Sequence, residues 1–560
     1  MSNTPGSMTK IFNNHSMATI VTNINNSGAG SLRQAVIDTA SGGTINFDMS
    51  LSGATITLAT VIAFSKNLPI INTNPLAITL SGNNVARIFN INGGNVTMSN
   101  FNFINGRMTT FGGGAIRNGG NLTITLCNFS NNICVFPLAA GSFGGGALLN
   151  VLGATCDISY CEFTNNTSTL RGGGAIYNAG TMTITNSGIY NNTTVGNTVT
   201  GPGGGVFNQN NLTMTNCTVN GNTASFGNGG GIFFTDSSLN QSAVITNCTI
   251  TNNISVRGGP GPSGGSGGGI AKDTAVTTLN CSLGNTIVAL NVVSNISSPP
   301  PLTPDILGPY ISNGSNFIGD GTGSTSFING VNGDQVGNTI TPIDPLLNPL
   351  GNYGGPTQSR TLQIASTCIN AGNVANIPPG TIYDQRGPGF PRIIAGNVDI
   401  GAVEFSLVCF SGESLVLTKN KSTDEISEIK AKDVYPDMHE VFDTINKKFI
   451  SIEHNIITGP ITRYMKIEKN SLGENKPNED FLVTAGHKIL YNGIEIKASK
   501  IPGAKRIKVK PENVYTICTT EKTAIQINNL DVITWGKAEW LDYSTNRGIT
   551  WEKNITKILL

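Results

Sequence analysis

An eleven-residue block that recurs seven times constrains this chain more than any other feature. The copies read VTMSNFNFING from residue 96, LTITLCNFSNN from 122, CDISYCEFTNN from 156, MTITNSGIYNN from 182, LTMTNCTVNGN from 212, AVITNCTITNN from 243 and VTTLNCSLGNT from 276. Successive copies begin 26 to 34 residues apart, and most follow a glycine-rich run such as GGGAIRN at 112, GGGALLN at 144 or GGGAIYN at 172. The third column holds Met98, Ile124, Ile158, Ile184, Met214 and Ile245; the eighth holds Phe103, Phe129, Phe163, Ile189, Val219, Ile250 and Leu283. Thr in columns two and four alternates with these apolar residues, and a period of two means short strands with one face inward. A unit of this length cannot bury that face alone and must stack on its neighbours. The expected architecture is a right-handed parallel β-helix with one coil per repeat.

Two further columns refine this expectation. Paired Asn residues such as Asn131-Asn132 and Asn191-Asn192 close the blocks. They suit a corner at which Asn tolerates left-handed geometry and its amide bonds to the same amide one coil away. The glycine triplets permit tight or positive-φ corners. Column six holds Phe101, Cys127, Cys161, Ser187, Cys217, Cys248 and Cys281, so half of the ten cysteines share one column of small residues. A buried row of free thiols is expected there, because reduced Cys packs as a small hydrophobe and the spacing matches neither a disulfide framework nor a metal site. Upstream, SLRQAVIDTA at 31–40 sets Leu32, Ala35, Val36 and Thr39 on one helical face, which suits a cap over the open end of the solenoid.

The composition changes near Cys409. Residues 1–408 contain 12 Lys+Arg and 13 Asp+Glu, whereas the shorter remainder contains 22 and 20. Of the 69 Gly, 61 precede Cys409, while all three Trp follow it. The chain therefore reads as a flexible N-terminus (1–20), a parallel β-helix with its capping helix (21–405), an ordinary charged globular domain (406–540) and a tail (541–560). The net charge of +1 gives no electrostatic reason to expect nucleic acid or an anionic membrane as partner. The N-terminus lacks the apolar core of a signal peptide, and no segment is long and apolar enough to be a spanning helix. The sequence assigns no location.

VTNINNSGAGSLRQAVIDTA near the start and DQRGPGFPRIIAGNVDIGAVEF at 384–405 resemble the opening and closing segments of secreted and surface β-helix repeat proteins, including adhesin-like polymorphic repeat proteins. The resemblance implies the fold and leaves function open, since such solenoids serve as adhesins, fibres, and polysaccharide lyases or hydrolases. A depolymerase needs a carboxylate pair, or a carboxylate and a base, on a groove face, whereas the blocks carry Asp157, Glu162, Asp236 and Asp273 in unrelated positions.

The second part carries CFSGESLVLT at 409, TAGHKIL at 484 and VYTICTTEKTAIQINNLDVITWG at 514. These three motifs, in this order, resemble the Hint self-processing module of hedgehog proteins and inteins, especially versions attached to proteins of large DNA viruses, and the resemblance implies an all-β Hint domain over 406–540. The resemblance implies that the thiol of Cys409 attacks the carbonyl of Val408, exchanging the 408–409 amide for a thioester and freeing the Cys409 amine. It assigns Thr484 to positioning the scissile amide and His487 to protonating the leaving nitrogen, a task suited to a side chain that titrates near neutrality. Asp443 lies roughly where hedgehog modules carry an activating Asp, and Cys518 is a candidate second thiol whose plainer reading is a core-facing strand residue. His439 and His454 match no motif.

The departures from the family define the expected outcome. No terminal His-Asn is present, so splicing is not expected; no sterol-recognition segment follows, and Thr516 stands where inteins usually carry Asp. What remains is a thioester opened by water, a thiol or an amine, with no cofactor and no metal. The reading is a fibre-, surface- or adhesin-like β-helix, with a glycan or particle surface as partner and a virion as the setting the resemblance suggests. Its self-processing module leaves the β-helix cleaved or ligated. The alternatives are a structural protein with an inert module and a polysaccharide-degrading β-helix.

Overall fold

The structure, a computed structural model, describes residues 18–135, 143–196, 201–235, 241–257, 267–273, 279–295, 304–353, 355–363, 366–388, 390–394, 397–405, 410–484, 486–536 and 556–557. It divides into two compact units, the first over Met1–Leu362 and Ser366–Glu404, the second over Gln363–Ala365 and Phe405–Leu560.

In the first unit the repeat blocks stack in register through parallel ladders. Ile124 lies opposite Met98 on one side and Ile158 on the other, and Phe129 opposite Phe103 and Phe163. Four parallel sheets run along the stack among the described residues. Two have eleven strands, Thr19–Val21 to Ile311–Ser312 and Thr55–Thr57 to Gln335–Val336; one has nine, from Ile62–Ser65 to Ile306–Leu307; one has seven, from Arg107–Met108 to Val292–Asn295. The result is a right-handed parallel β-solenoid of about nine turns. Columns one, three and eight form its interior, where the rings of Phe103, Phe129 and Phe163 stack at 4.6 Å.

The corners explain the block sequence. Column five takes left-handed geometry in every copy (Asn186 φ 50°, Asn216 φ 54°), and so does column ten (Asn131 φ 55°, Asn191 φ 55°), conformations that Asn adopts more cheaply than other non-glycine residues. The Asn in column eleven, which follows the left-handed residue, turns inward. Asn132, Asn166, Asn192, Asn222, Asn253 and Asn291 are all buried, and each Nδ2 donates to Oδ1 of the next coil at 2.8–2.9 Å, ending on Oδ1 of Asp305. Each backbone N–H in this column donates to the same oxygen. A second ladder, Asn118 to Asn150 to Asn178 to Asn208, lies inside the nine-stranded sheet. The glycine triplets are required by close approach: Gly145 has φ 83°, and a Cβ on its neighbour Gly144 would lie 1.8 Å from the Gly172 carbonyl oxygen.

Column six holds the expected buried thiols, with one correction. Cys127, Cys161, Cys217 and Cys248 are buried, and their Sγ atoms lie 3.2–3.3 Å from the carbonyl oxygen two residues back, as the Ser187 hydroxyl does at 2.7 Å. Cys281 is not in this row. It pairs with Ala243, a column-one residue, while Leu283 pairs with Ile245 in column three. The last true block therefore starts at 281, Thr286 occupies column six, and Val288 pairs with Ile250 in column eight. The stretch VTTLNC mimics a block five residues too early.

The helix Leu32–Asp38 forms as the apolar spacing requires. Ser31 caps it by accepting from the Gln34 N–H, Leu32, Ala35 and Val36 are buried, and Arg33 donates to the carbonyls of Val61 and Thr60 beside the first coils. At the far end, the segment after Gln335–Val336 folds back as a strap along the outside. Glu162 accepts from the Gln358 N–H at 2.6 Å, Thr218 donates to Gln385 at 2.5 Å, and Asn285 donates to the Asn373 carbonyl at 2.9 Å. The strap closes on two buried ion pairs, Arg386–Asp384 at 2.5 Å and Arg392–Glu404 at 2.7 Å. The closing motif, up to Glu404, thus forms the last part of this unit.

The second unit is built from antiparallel strands. Two long ones, Lys448–Ile467 and Lys505–Thr519, pair along most of their length. The short strand Phe410–Ser411 sits between Phe481–Val483 and Lys505–Thr519, while Leu415–Asn420, His439–Asp443, Ala524–Ile527 and Leu530–Ile533 complete the central pairings. Phe410, Val416, Val441, Ile467, Phe481, Val483, Ile517 and Val532 belong to its core. Among the described residues no helix is long and apolar enough to cross a membrane.

Three measurements test this account of the first unit. Native alkylation should miss Cys127, Cys161, Cys217, Cys248 and Cys281, since all are buried and burial raises the thiols of Cys161 and Cys217 well above their ordinary range; each should label on unfolding. Asn192→Leu strands the Asn166 amide and the Phe163 carbonyl, so it should cost about 3 kcal/mol or more at ~1–3 kcal/mol per stranded group, read as a lower denaturation midpoint. The third concerns Asp305, whose carboxyl burial pushes up to about 7 against the pull of hydrogen bonds from Asn291 and Asp320, from an ordinary 3.8. As pH falls from about 7 to about 4, the folded chain binds this proton and the unfolded chain does not, so the group adds stability toward acid. In Asp305→Asn, the rise in Tm from about pH 8 to about pH 5 should be smaller than in the wild type.

Candidate functional site

The sequence motifs of the second unit converge around the imidazole of His487. Thr484 follows directly on the strand Phe481–Val483. The chain then turns tightly, with the His487 N–H donating to the Thr484 carbonyl at 3.1 Å, and the Ala498 N–H donates to the His487 carbonyl at 2.7 Å. Both side chains are buried, His487 to 1% exposure and Thr484 to 7%. The strand Phe410–Ser411 brings the start of the unit to the same place: Phe410 pairs with Val483, the residue before Thr484, and with Tyr515, the residue before Thr516. The Phe410 ring lies 5.5 Å from the imidazole. Gly412 permits this entry, because a Cβ there would meet the Tyr515 ring at 2.5 Å.

The imidazole is oriented by a group that sequence reasoning missed. Nε2 of His487 lies 3.1 Å from the carbonyl oxygen of Ile533. A carbonyl only accepts, so Nε2 carries the proton and, in the neutral ring, Nδ1 holds the lone pair. A main-chain atom has no signature in the side-chain sequence, and the only local signal was the position of Ile533 inside the third motif.

The remaining candidates have separate places. Val408 and Cys409 lie outside the described residues. Asp443 is 2% exposed at the end of His439–Asp443, and its carboxylate accepts from the N–H groups of Ile445 and Asn446, the Asn446 side chain and the Thr523 hydroxyl, all at 2.8–2.9 Å. Burial disfavours its charge, but these four donors outweigh that effect and hold the carboxyl below its ordinary range. Cys518 is fully buried on the strand Lys505–Thr519, paired with Trp535, and Thr516 is buried two residues before it. His439 is committed to a turn, its Nδ1 accepting from the Tyr435 N–H at 3.1 Å, and burial lowers its pKa. His454 lies in register opposite Cys518.

In the solenoid the block carboxylates do not converge. Asp157 is flanked across the ladder by Thr123 and Thr183, and Glu162 by Asn128 and Gly188. Burial raises Glu162, which is engaged by the strap. Asp273 follows the strand Ile270–Lys272, and Asp236 lies outside the described residues. Among the described residues no group of three or more His, Cys, Asp or Glu is placed to hold a metal ion.

Among solved structures, the chain is similar to a rhamnogalacturonan lyase at 13% identity and a TM-score of 0.36, over 62% of this chain and 96% of that one. It is also similar to the pectate lyase Pel9A at 15% identity and a TM-score of 0.33, over 69% and 96%. No curated protein sequence matches it. Residues 77–283 match the family described as the right handed beta helix region, the same stretch whose ladders stack Ile78 through Leu283, and this part of the chain is a right-handed β-helix.

Proposed function

We propose that the second unit is a Hint-type self-processing module that activates the bond between Val408 and Cys409, releasing the β-helix or transferring it to an acceptor. The observation that carries this reading is the meeting of three separated motifs at one buried imidazole: Phe410 from the first, Thr484 and His487 from the second, and the Ile533 carbonyl from the third. Phe410 directly follows Cys409 in the sequence, and it pairs with Val483 and Tyr515, the chain neighbours of Thr484 and Thr516.

The chemistry then runs as follows. The Cys409 thiol gives its proton to Nδ1 of His487, the Sγ attacks the Val408 carbonyl carbon, and the C–N bond to Cys409 breaks as the nitrogen takes that proton from Nδ1. The products are a Val408 thioester and a free Cys409 amine. With Nε2 held by Ile533, Nδ1 is the nitrogen that gains and gives this proton. The Thr484 hydroxyl positions the amide. Water, a thiol or an amine then attacks the thioester; with water, Val408 leaves as a carboxylate and the Cys409 thiol is restored. The β-helix is the acyl portion, so an acceptor amine on a particle or glycan-bearing surface would end covalently joined to it.

Intact-mass measurement of the full chain tests this directly. The wild type should release a fragment beginning at Cys409, faster with dithiothreitol or hydroxylamine, and Cys409→Ala should remain intact. His487→Ala should slow release by roughly 10²- to 10⁴-fold, the usual span for losing a general acid or base. A wild-type chain still at 58.5 kDa after prolonged incubation with thiol would overturn the proposal.

A further inference from the structure

The Asp443 carboxylate stands at the start of a buried path that ends on His487. Its Oδ1 accepts from the Thr523 hydroxyl at 2.9 Å. Thr523 is locked to Thr534 in both directions: the Thr523 N–H donates to the Thr534 hydroxyl at 3.2 Å, and the Thr534 N–H donates to the Thr523 carbonyl at 2.8 Å. The Thr519 and Thr534 hydroxyls are 2.7 Å apart. Thr534 directly follows Ile533, whose carbonyl fixes the imidazole. Asp443, Thr519, Thr523, Thr534 and His487 are all buried, so little solvent competes for these bonds. The strand that ends at Asp443 is tied to this region by the pairing of Asp443 with Ile525, and the next residue, Thr444, donates its N–H to the Ala524 carbonyl at 2.8 Å.

We infer that Asp443 is a positioning residue that acts through Thr523 and Thr534 on the Ile533 carbonyl, and so sets the tautomer and orientation of His487. The inference rests on the self-processing reading for its effect on cleavage, though not for its effect on the imidazole. The distribution of bonds at Asp443 favours this role over that of a base. Three of its four donors, including Thr523, converge on the single oxygen Oδ1, so the residue serves as a multiple acceptor. An amide oxygen would serve Oδ1 equally well, and only the Asn446 side chain, bonded to Oδ2, would have to turn its amide.

That difference gives the test. Cleavage is measured by intact mass in the full chain carrying Asp443→Asn, Asp443→Ala or Thr523→Val. The His487 imidazole ¹⁵N shifts are measured in the same variants on a Cys409→Ala background, which cannot cleave. Thr523→Val removes only the hydroxyl link, is close to isosteric and keeps the fold testable if Asp443→Ala does not fold. Asp443→Ala and Thr523→Val should slow cleavage by about 10- to 100-fold, the usual cost of removing an outer orienting partner, and should mix the His487 tautomers. Asp443→Asn should restore the Nε2-protonated tautomer and stay within about threefold of the wild type, because it keeps the acceptor. Cleavage as slow in Asp443→Asn as in Asp443→Ala would show that the charge itself is used and overturn the inference. An unchanged His487 tautomer in Thr523→Val would overturn it equally. Should the wild type not cleave, the self-processing reading falls, and the imidazole shifts still decide whether the path to His487 exists.

Discussion

The solenoid depends on the inward amide of column eleven. A corner of backbone buried inside a stack has N–H and C=O groups that no strand pairs, and leaving one unpaired costs about 1–3 kcal/mol. Each ladder Asn answers three such demands. Its Oδ1 accepts the N–H and the amide of the preceding coil's Asn, and its Nδ2 reaches the Phe163, Ile189 or Val219 carbonyl as well as the next rung. The left-handed residue just before it makes this possible by turning the backbone so that the next side chain enters the core. The Asn-Asn pair is therefore one device with two parts, and the regular coil length of columns one to eleven follows from it. Loops between coils vary in length because they lie outside this constraint.

Much of this was legible in sequence because the determinants are local. Period-two alternation, paired Asn and glycine triplets each occupy a few consecutive residues, and the coil ladders match the blocks copy by copy up to 243. The failure at the last copy is instructive. VTTLNC reproduces the pattern of Thr, apolar residue, Asn and Cys, but the true corner is Asn285, with the amide of Asn291 two short segments later. The feature that decides register is the buried amide that must meet the Asn253 side chain; column composition alone could not distinguish the two settings. The strap was legible only as a closing motif. Its attachment to Glu162 and Thr218 joins residues 196 and 167 positions apart, and no local pattern encodes that.

The second unit divides along the same line. The Thr-x-x-His turn is a local object, and its backbone bond from His487 to Thr484 spans three residues. The partner that fixes the imidazole is 46 residues away and belongs to the main chain. Asp443 stood out only by its place relative to the activating Asp of hedgehog modules, while no motif singled out the Thr519, Thr523 and Thr534 hydroxyls. Their arrangement depends on strand pairings between Asp443 and Ile525 and between Ile525 and Val532, which are long-range contacts of the kind sequence periodicity does not report. A solenoid built from neighbour contacts and a module built from distant ones are thus unequal readings from one chain.

Both units use the same physical rule to give a polar network a direction. An Asn rung donates and accepts, so a row of them has no intrinsic end and could continue into another coil. Asp305 accepts with both oxygens, from Asn291 and from the Asp320 N–H, and has nothing to donate while ionised, so the row stops there. Asp334 ends the neighbouring row in the same way, taking the Asn316 N–H and amide. In the second unit the Ile533 carbonyl has the same acceptor-only character, and it selects one of two nearly equal imidazole tautomers. In the solenoid, placing an obligate acceptor opposite a group of two roles terminates a stack. At His487 it determines which nitrogen of the ring carries the proton.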